Sequence, residues 1–365
     1  MFTPSRLTLA RKRRGLTKAA LAKAVEVDVR SVTAWEMGEF PPTNENICTL
    51  SEVLGFEASF FAAREVETLT LTPASFRENP SFRAASRMRA WQRDAALAAG
   101  EFALEVFGFI DTRFNLPKPQ VPDLRHCQPE AAAQTLRQMW EIGERPIKNL
   151  VHLLETKGIS VFSLVEECKE VDAFSFWRGN VPFIFLNTRK TPERSRFDAA
   201  HELGHLVLHQ HGQPAGKEAE SEADSFASAF LMPSADVLAR VRANPSVDYL
   251  LAKKKIWRVS LSALARRCHS LGLLSSWNYY ALCAEIGRRF GRQSEPEGIS
   301  ERETSLVLQK VMTHLWKMGI TWEKISKELH LPVSEVNKLV FGLVQGSANS
   351  PDGATARKLQ LVHTH

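Results

Sequence analysis

The chain has 365 residues, 44% hydrophobic and 24% charged, a composition that predicts two or three globular domains and excludes disorder over most of its length. Its 47 Lys and Arg against 41 Asp and Glu leave a net charge of only +6, so the positions of the charges matter more than their sum. Five scattered cysteines (Cys48, Cys127, Cys168, Cys268, Cys283) without a CxxC pair, no apolar leader in MFTPSRLTLARKRRG, and no run near the roughly 18 apolar residues of a membrane helix predict a cytoplasmic protein with neither disulfides nor membrane spans.

Residues 1–35 carry eight Lys or Arg against two Asp or Glu, and 36–63 carry five acidic residues and no basic ones. Across 5–61 the apolar spacing predicts four or five short helices. Thr17 is placed to cap a helix over 17–24 that buries Leu21 and Ala22, and Asp28 to cap one over 28–37 that turns Val29, Val32 and Trp35 inward. Pro41-Pro42 ends the pattern. Two helices at this spacing form a helix-turn-helix. The second would offer Asp28, Arg30, Ser31 and Thr33 to base edges, while Lys18, Arg11, Lys12, Arg13 and Arg14 would meet phosphates.

A long helical segment follows over 73–114, then a linker, NLPKPQVPDL, with three prolines in ten residues. Helices are expected over 129–142 and 147–157. The period then changes to strands at 159–163, 172–177 and 181–187, a small sheet. Helical patterns resume at 194–211 and 218–231 and run to about 343, and the tail from Gln345 is expected to be disordered.

His201-Glu202-Leu203-Gly204-His205 is an HExxH on a predicted amphipathic helix. Histidines four apart share a helix face and can hold one zinc, while Glu202, offset by one position, can act as general base toward the attacking water. For the third ligand, Glu220 is favoured: on the next helix it shares a face with Asp224, which could orient a ligand histidine. Glu222 on that helix, expected to face solvent, and His211 and His209 on the first are the alternatives, His209 lying about 6 Å farther along at 1.5 Å rise per residue. Cys168 reads as an ordinary thiol. Tyr249, Tyr279, Tyr280, His269 and Arg196 are available to stabilise a developing oxyanion but are more simply structural, and Trp257, Trp277, Trp316 and Trp322 are expected in the core.

A second basic stretch, 236–292, has eleven basic and three acidic residues, with Arg266-Arg267 its best phosphate contacts. MGITWEKISKELHLPVSEVNKLVFGL also has helix-turn-helix spacing, but its mixed outward charges read as a packing element.

The first 63 residues resemble the XRE, Cro/repressor-like family, through LA, the W-E-x-G ending and the proline after it. The turn, where glycine is common in that family, reads Val25-Glu26-Val27 here. ERSRFDAAHELGHLVLH followed by ExEADxFAxxFLMP resembles the ImmA/IrrE family of zinc metallopeptidases. That resemblance implies His201, His205 and Glu220 as zinc ligands and Glu202 as catalytic acid/base, and the order of segments is similar to fused XRE/ImmA-IrrE regulators. It implies an operator-binding protein, a homodimer, that cleaves a repressor-type protein in a stress, phage or mobile-element response. The alternative is a transcription factor whose zinc-bound fold is a sensor with little turnover. The expected architecture is α+β and mostly helical: a DNA-binding domain at 1–63, a helical segment and linker at 64–128, a zincin-like, gluzincin-type core at 129–235, a helical region at 236–344 and a tail at 345–365.

Overall fold

The computed structural model describes residues 2–63, 89–164, 173–210, 216–291, 295–296, 298 and 301–344. His211, Cys168, the tail from Gln345 and the first part of the helix expected over 73–114 lie outside these described residues. Cys48, Cys127, Cys268 and Cys283 are free thiols.

The N-terminal bundle comprises α1 (Pro4–Arg13), α2 (Lys18–Ala24), α3 (Val29–Met37), α4 (Asn44–Leu54) and α5 (Ala58–Ala62) around Leu7, Leu21, Val32, Trp35, Leu50 and Phe60. Its helix starts are set locally. Thr17 Oγ1 accepts from Ala20 N–H, Asp28 Oδ1 from Arg30 N–H and Thr43 Oγ1 from Asn46 N–H, each satisfying an amide that a helix leaves unpaired. Between α2 and α3, Glu26 adopts φ 58°, the left-handed conformation that glycine supplies more cheaply, at a cost of about 1 kcal/mol. Val29, expected inward, is 43% exposed because it opens the first turn of α3 beyond the edge of the bundle.

Next comes α6 (Ala90–Asp111), covered on both sides. Phe102 enters the N-terminal bundle, its ring centroid 5.8 Å from Phe56 and 6.2 Å from Phe60. Gly100 lies over Phe174 and Phe176, and Phe107 meets Phe183 edge-on at 5.0 Å. The small buried residues Ala95, Ala96, Ala98, Ala99 and Ala103 allow this double contact.

After α7 (Pro129–Met139) and α8 (Leu150–Thr156) come β1 (Ser160–Ser163), β2 (Ala173–Arg178) and β3 (Val181–Leu186), in the order β1-β3-β2. β1 runs parallel to β3 and β2 antiparallel to it. Strand alternation sorts the two faces. Phe162, Phe174, Phe176, Phe183 and Phe185 stack under α6, Phe174 and Phe185 at 4.4 Å, whereas Ser175 opposite Ile184 faces the other way.

Against that other face packs α9 (Pro192–Leu208), which carries the HExxH, with α10 (Lys217–Leu231) beside it. Thr191 caps α9 at Arg194 N–H and Pro192 fixes its first turn. The two helices touch at Gly204, where a Cβ would stand 3.1 Å from the Phe226 ring and 3.2 Å from Ala223 Cα. Gly204→Val should therefore cost about 1–3 kcal/mol by overpacking and weaken metal binding, because it drives Glu220 and Asp224 away from α9. Urea melts and zinc titration check this, and a wild-type stability would contradict the contact.

The remaining elements are α11 (Ser234–Arg240), α12 (Val247–Lys253) with a 3-10 turn over Lys254–Ile256, α13 (Leu261–Ser270), α14 (Ser276–Phe290), α15 (Leu306–Lys317), α16 (Trp322–Leu329) and α17 (Val333–Val340). The helix-turn-helix spacing of the last two is used for packing, with α17 docked on α6 and β1. Trp257 is fully buried, but Trp277 and Trp316, expected in the core, are 79% and 41% exposed, on outer faces of α14 and α15. Trp322 is partly buried.

Candidate metal centre and nucleic-acid interface

His201 and His205 project from one face of α9 and meet Glu220 from α10. Their Nε2 atoms are 3.1 Å apart, and Glu220 sets Oε2 3.4 Å from His201 Nε2 and Oε1 3.4 Å from His205 Nε2. Each of the three offers one donor atom lying within 4.8 Å of the others. Both histidines are buried, and burial pushes His205 down to about 4, which leaves a neutral ring with a lone pair to give. Burial opposes the charge on Glu220, yet the closeness of the His201 and His205 rings outweighs it and holds its pKa at about 2.

The donor set fits a divalent cation. Both Glu220 oxygens and Glu202 Oε1 are buried without a hydrogen-bond partner among the described residues, an arrangement that costs free energy unless something positive sits among them. Two imidazoles and a carboxylate are ligands that suit zinc and leave a coordination position open. His201 Nδ1 lies 2.9 Å from Asp224 Oδ1, so the aspartate orients that ring; Arg266, a largely exposed side chain on α13, reaches the other Asp224 oxygen at 3.5 Å. Glu222 is turned to His209, not to this cluster and not to open solvent as its helical angle implied.

Glu202 is fully buried beside the cluster, and burial pushes its carboxyl up to about 8 against the opposing pull of His201 and Ser175. Ser175 Oγ donates to Glu202 Oε2 at 2.7 Å. Sequence reasoning missed this serine. The available signal was its place in AFSFW, where alternation turns it away from the flanking phenylalanines and toward the HExxH helix.

The candidate oxyanion donors make other contacts. Arg196 is buried and pairs with Glu303 while donating to Ile147 O, so it ties α9 to neighbouring segments. Tyr249 OH donates to Arg240 O. His269 and Tyr279 stack at 4.6 Å beside the exposed Tyr280. Arg267, expected at phosphates, is 3% exposed and held by Met232 O and Glu130, leaving Arg266 as the open cation of that pair.

At the N-terminus α3 is open on one face. Arg30 and Val29 are exposed and Ser31 and Thr33 half-buried, with Thr33 Oγ1 donating to Val29 O. Asp28 is committed to capping α3, and Lys18 stands 3.4 Å from Glu36. The basic run before it does different work from that expected. Arg11 is bidentate to Glu36 at 2.6 and 3.0 Å. Arg13 donates to Glu335 at 2.7 Å and to Ala95 O at 3.1 Å, and Arg14 donates to Glu335 and Leu54 O. Arg11 thus ties α1 to α3, while Arg13 and Arg14 tie α1 to α17, so these three charges are answered by carboxylates within the protein.

Residues 7–61 match the helix-turn-helix family, and residues 154–269 match a peptidase family described as the IrrE N-terminal-like domain. The chain joins a helix-turn-helix domain to an IrrE-like domain. No curated protein matches it. The IrrE-like match runs through α13, the helix whose Arg266 reaches Asp224. With a DNA-binding domain and a peptidase-family domain in one chain, the protein is a regulator with a peptidase-like domain. Among the described residues no helix is long and apolar enough to cross a membrane.

Proposed function

We propose that this protein binds an operator through α3 and cleaves a repressor-type protein with zinc held by His201, His205 and Glu220. The observation that carries the reading is the convergence of two buried Nε2 atoms and an unpartnered carboxylate beside a fully buried Glu202. A purely structural site has no use for that extra carboxylate. Zinc bound there would polarise the scissile carbonyl and lower the pKa of both the attacking water and Glu202. Ser175 occupies Glu202 Oε2 and fixes the rotamer, so Oε1 is the atom that takes the proton from the water and later returns it to the leaving amine. Asp224 holds His201 with Nε2 inward. The protein would work as a homodimer, since such domains read paired half-sites, and its free cysteines suit the reducing cytoplasm.

The test is incubation of the zinc-loaded protein with the helix-turn-helix repressors encoded beside its gene, read by mass spectrometry. A single cut, blocked by a chelator and restored by zinc, is expected; intact repressors beside stoichiometrically bound zinc would refute the peptidase reading. On the DNA side, Arg30→Ala should weaken operator binding by about 1–3 kcal/mol if it reads a base edge, with a fainter footprint. A footprint like the wild type's would exclude α3 as the reading element.

A further inference from the structure

The two ligand histidines are anchored differently, and the difference assigns a role to residues outside the ligand set. Both rings turn Nε2 toward the shared point, so in the ligating state each carries its ring proton on Nδ1. His201 passes that proton directly to Asp224 Oδ1, 2.9 Å away. The Nδ1 of His205 instead faces the Nδ1 of His209, also at 2.9 Å. Two such nitrogens bond only when one is protonated and the other is not, and His205 must be the donor. His209 is thereby confined to the tautomer with its proton on Nε2. That atom lies 2.8 Å from Glu222 Oε2, an acceptor. Every proton along His205, His209 and Glu222 is fixed by the geometry.

We infer that His209 and Glu222 are positioning residues that hold His205 in its ligating tautomer and orientation, the counterpart for the second ligand of what Asp224 does for the first. The inference rests on the zinc reading of the cluster. The backbone supports it: His209 ends α9 at φ −123°, ψ 31°, out of helical geometry, so its ring lies against His205 with centroids 5.1 Å apart and does not continue along the helix. His209 is 1% exposed, whereas the Glu222 side chain is 33% exposed and comes from α10. The relay thus ties the end of α9 to α10, as His201 and Asp224 do one turn earlier. A neutral imidazole between carboxylate and ligand also passes on polarisation, raising the basicity of His205 Nε2.

Zinc affinity by chelator competition and the visible spectrum of the cobalt-substituted protein test this. His209→Leu removes the acceptor for His205 and should weaken zinc by about 10- to 100-fold and alter the cobalt bands. His209→Gln keeps a carbonyl to accept from His205 and an amide to donate to Glu222, and should recover most of the affinity. Glu222→Ala, at a side chain 33% exposed, should weaken zinc in the same direction and covers the case in which His209→Leu does not fold. Wild-type affinity and cobalt spectrum in His209→Leu, or wild-type affinity in Glu222→Ala, overturn the inference while the metal site stands. Failure of the wild-type protein itself to bind zinc removes the metal reading and this inference with it.

Discussion

Glu202→Gln should bind zinc and operator as the wild type does while losing repressor cleavage by about 100- to 10,000-fold, the usual worth of a positioned general base. The amide has the size of the carboxyl and can still meet Ser175 Oγ, so the pocket keeps its shape; what disappears is a basic oxygen at Oε1. Glu202 is 0% exposed, and burying its charge disfavours folding, so the metal-free variant should melt at or above the wild-type temperature. Single-turnover cleavage, zinc content and a thermal melt separate these effects. Cleavage at the wild-type rate would remove Glu202 from catalysis. Lost zinc together with lost cleavage would mean that the residue supports the site in another way.

Glu335→Ala should destabilise the protein by about 3–5 kcal/mol, because it strands a buried charge. Glu335 is 1% exposed, the Arg13 side chain 4%, and they meet at 2.7 Å, with Arg14 on the second carboxylate oxygen. Burial opposes the charge on Glu335, but Arg13, Lys338 and Arg14 together outweigh it and hold its pKa at about 2. A carboxyl depressed from 4.5 to about 2 stabilises the folded state fully at neutral pH; that contribution fades below about pH 4.5 and is gone once the pH falls through 2. Urea denaturation across pH 3–7 checks both points. Wild-type and variant should differ most at neutral pH and converge in acid. A variant as stable as the wild type at pH 7 would show that α1 and α17 are not joined through this carboxylate.

Much of the architecture was legible because its causes lie within a few residues of one another. The caps at Thr17 and Asp28, the interval between the two N-terminal helices and the strand alternation in AFSFW are local, as is the four-residue spacing of His201 and His205. Glu220 and Asp224 could be paired with that helix from spacing and resemblance, and the structure brings both to it. Ser175 became a neighbour of the site only through the packing of β2 against α9, and His209 and Glu222, read from spacing as alternative ligands, were paired with each other only by the packing of α10.

The first 35 residues carry an excess of positive charge, and composition and local pattern determined that they form a helix-turn-helix. What those charges do was decided by tertiary structure. Arg13 and Glu335 are 322 residues apart, and no propensity or periodicity encodes their meeting. Only once α6 lies between bundle and sheet, and α17 docks on α6, does the carboxylate arrive beneath α1. An arginine at a surface and an arginine at an interface look alike in sequence, because the chain specifies the charge and the fold specifies whether water, phosphate or a buried carboxylate answers it.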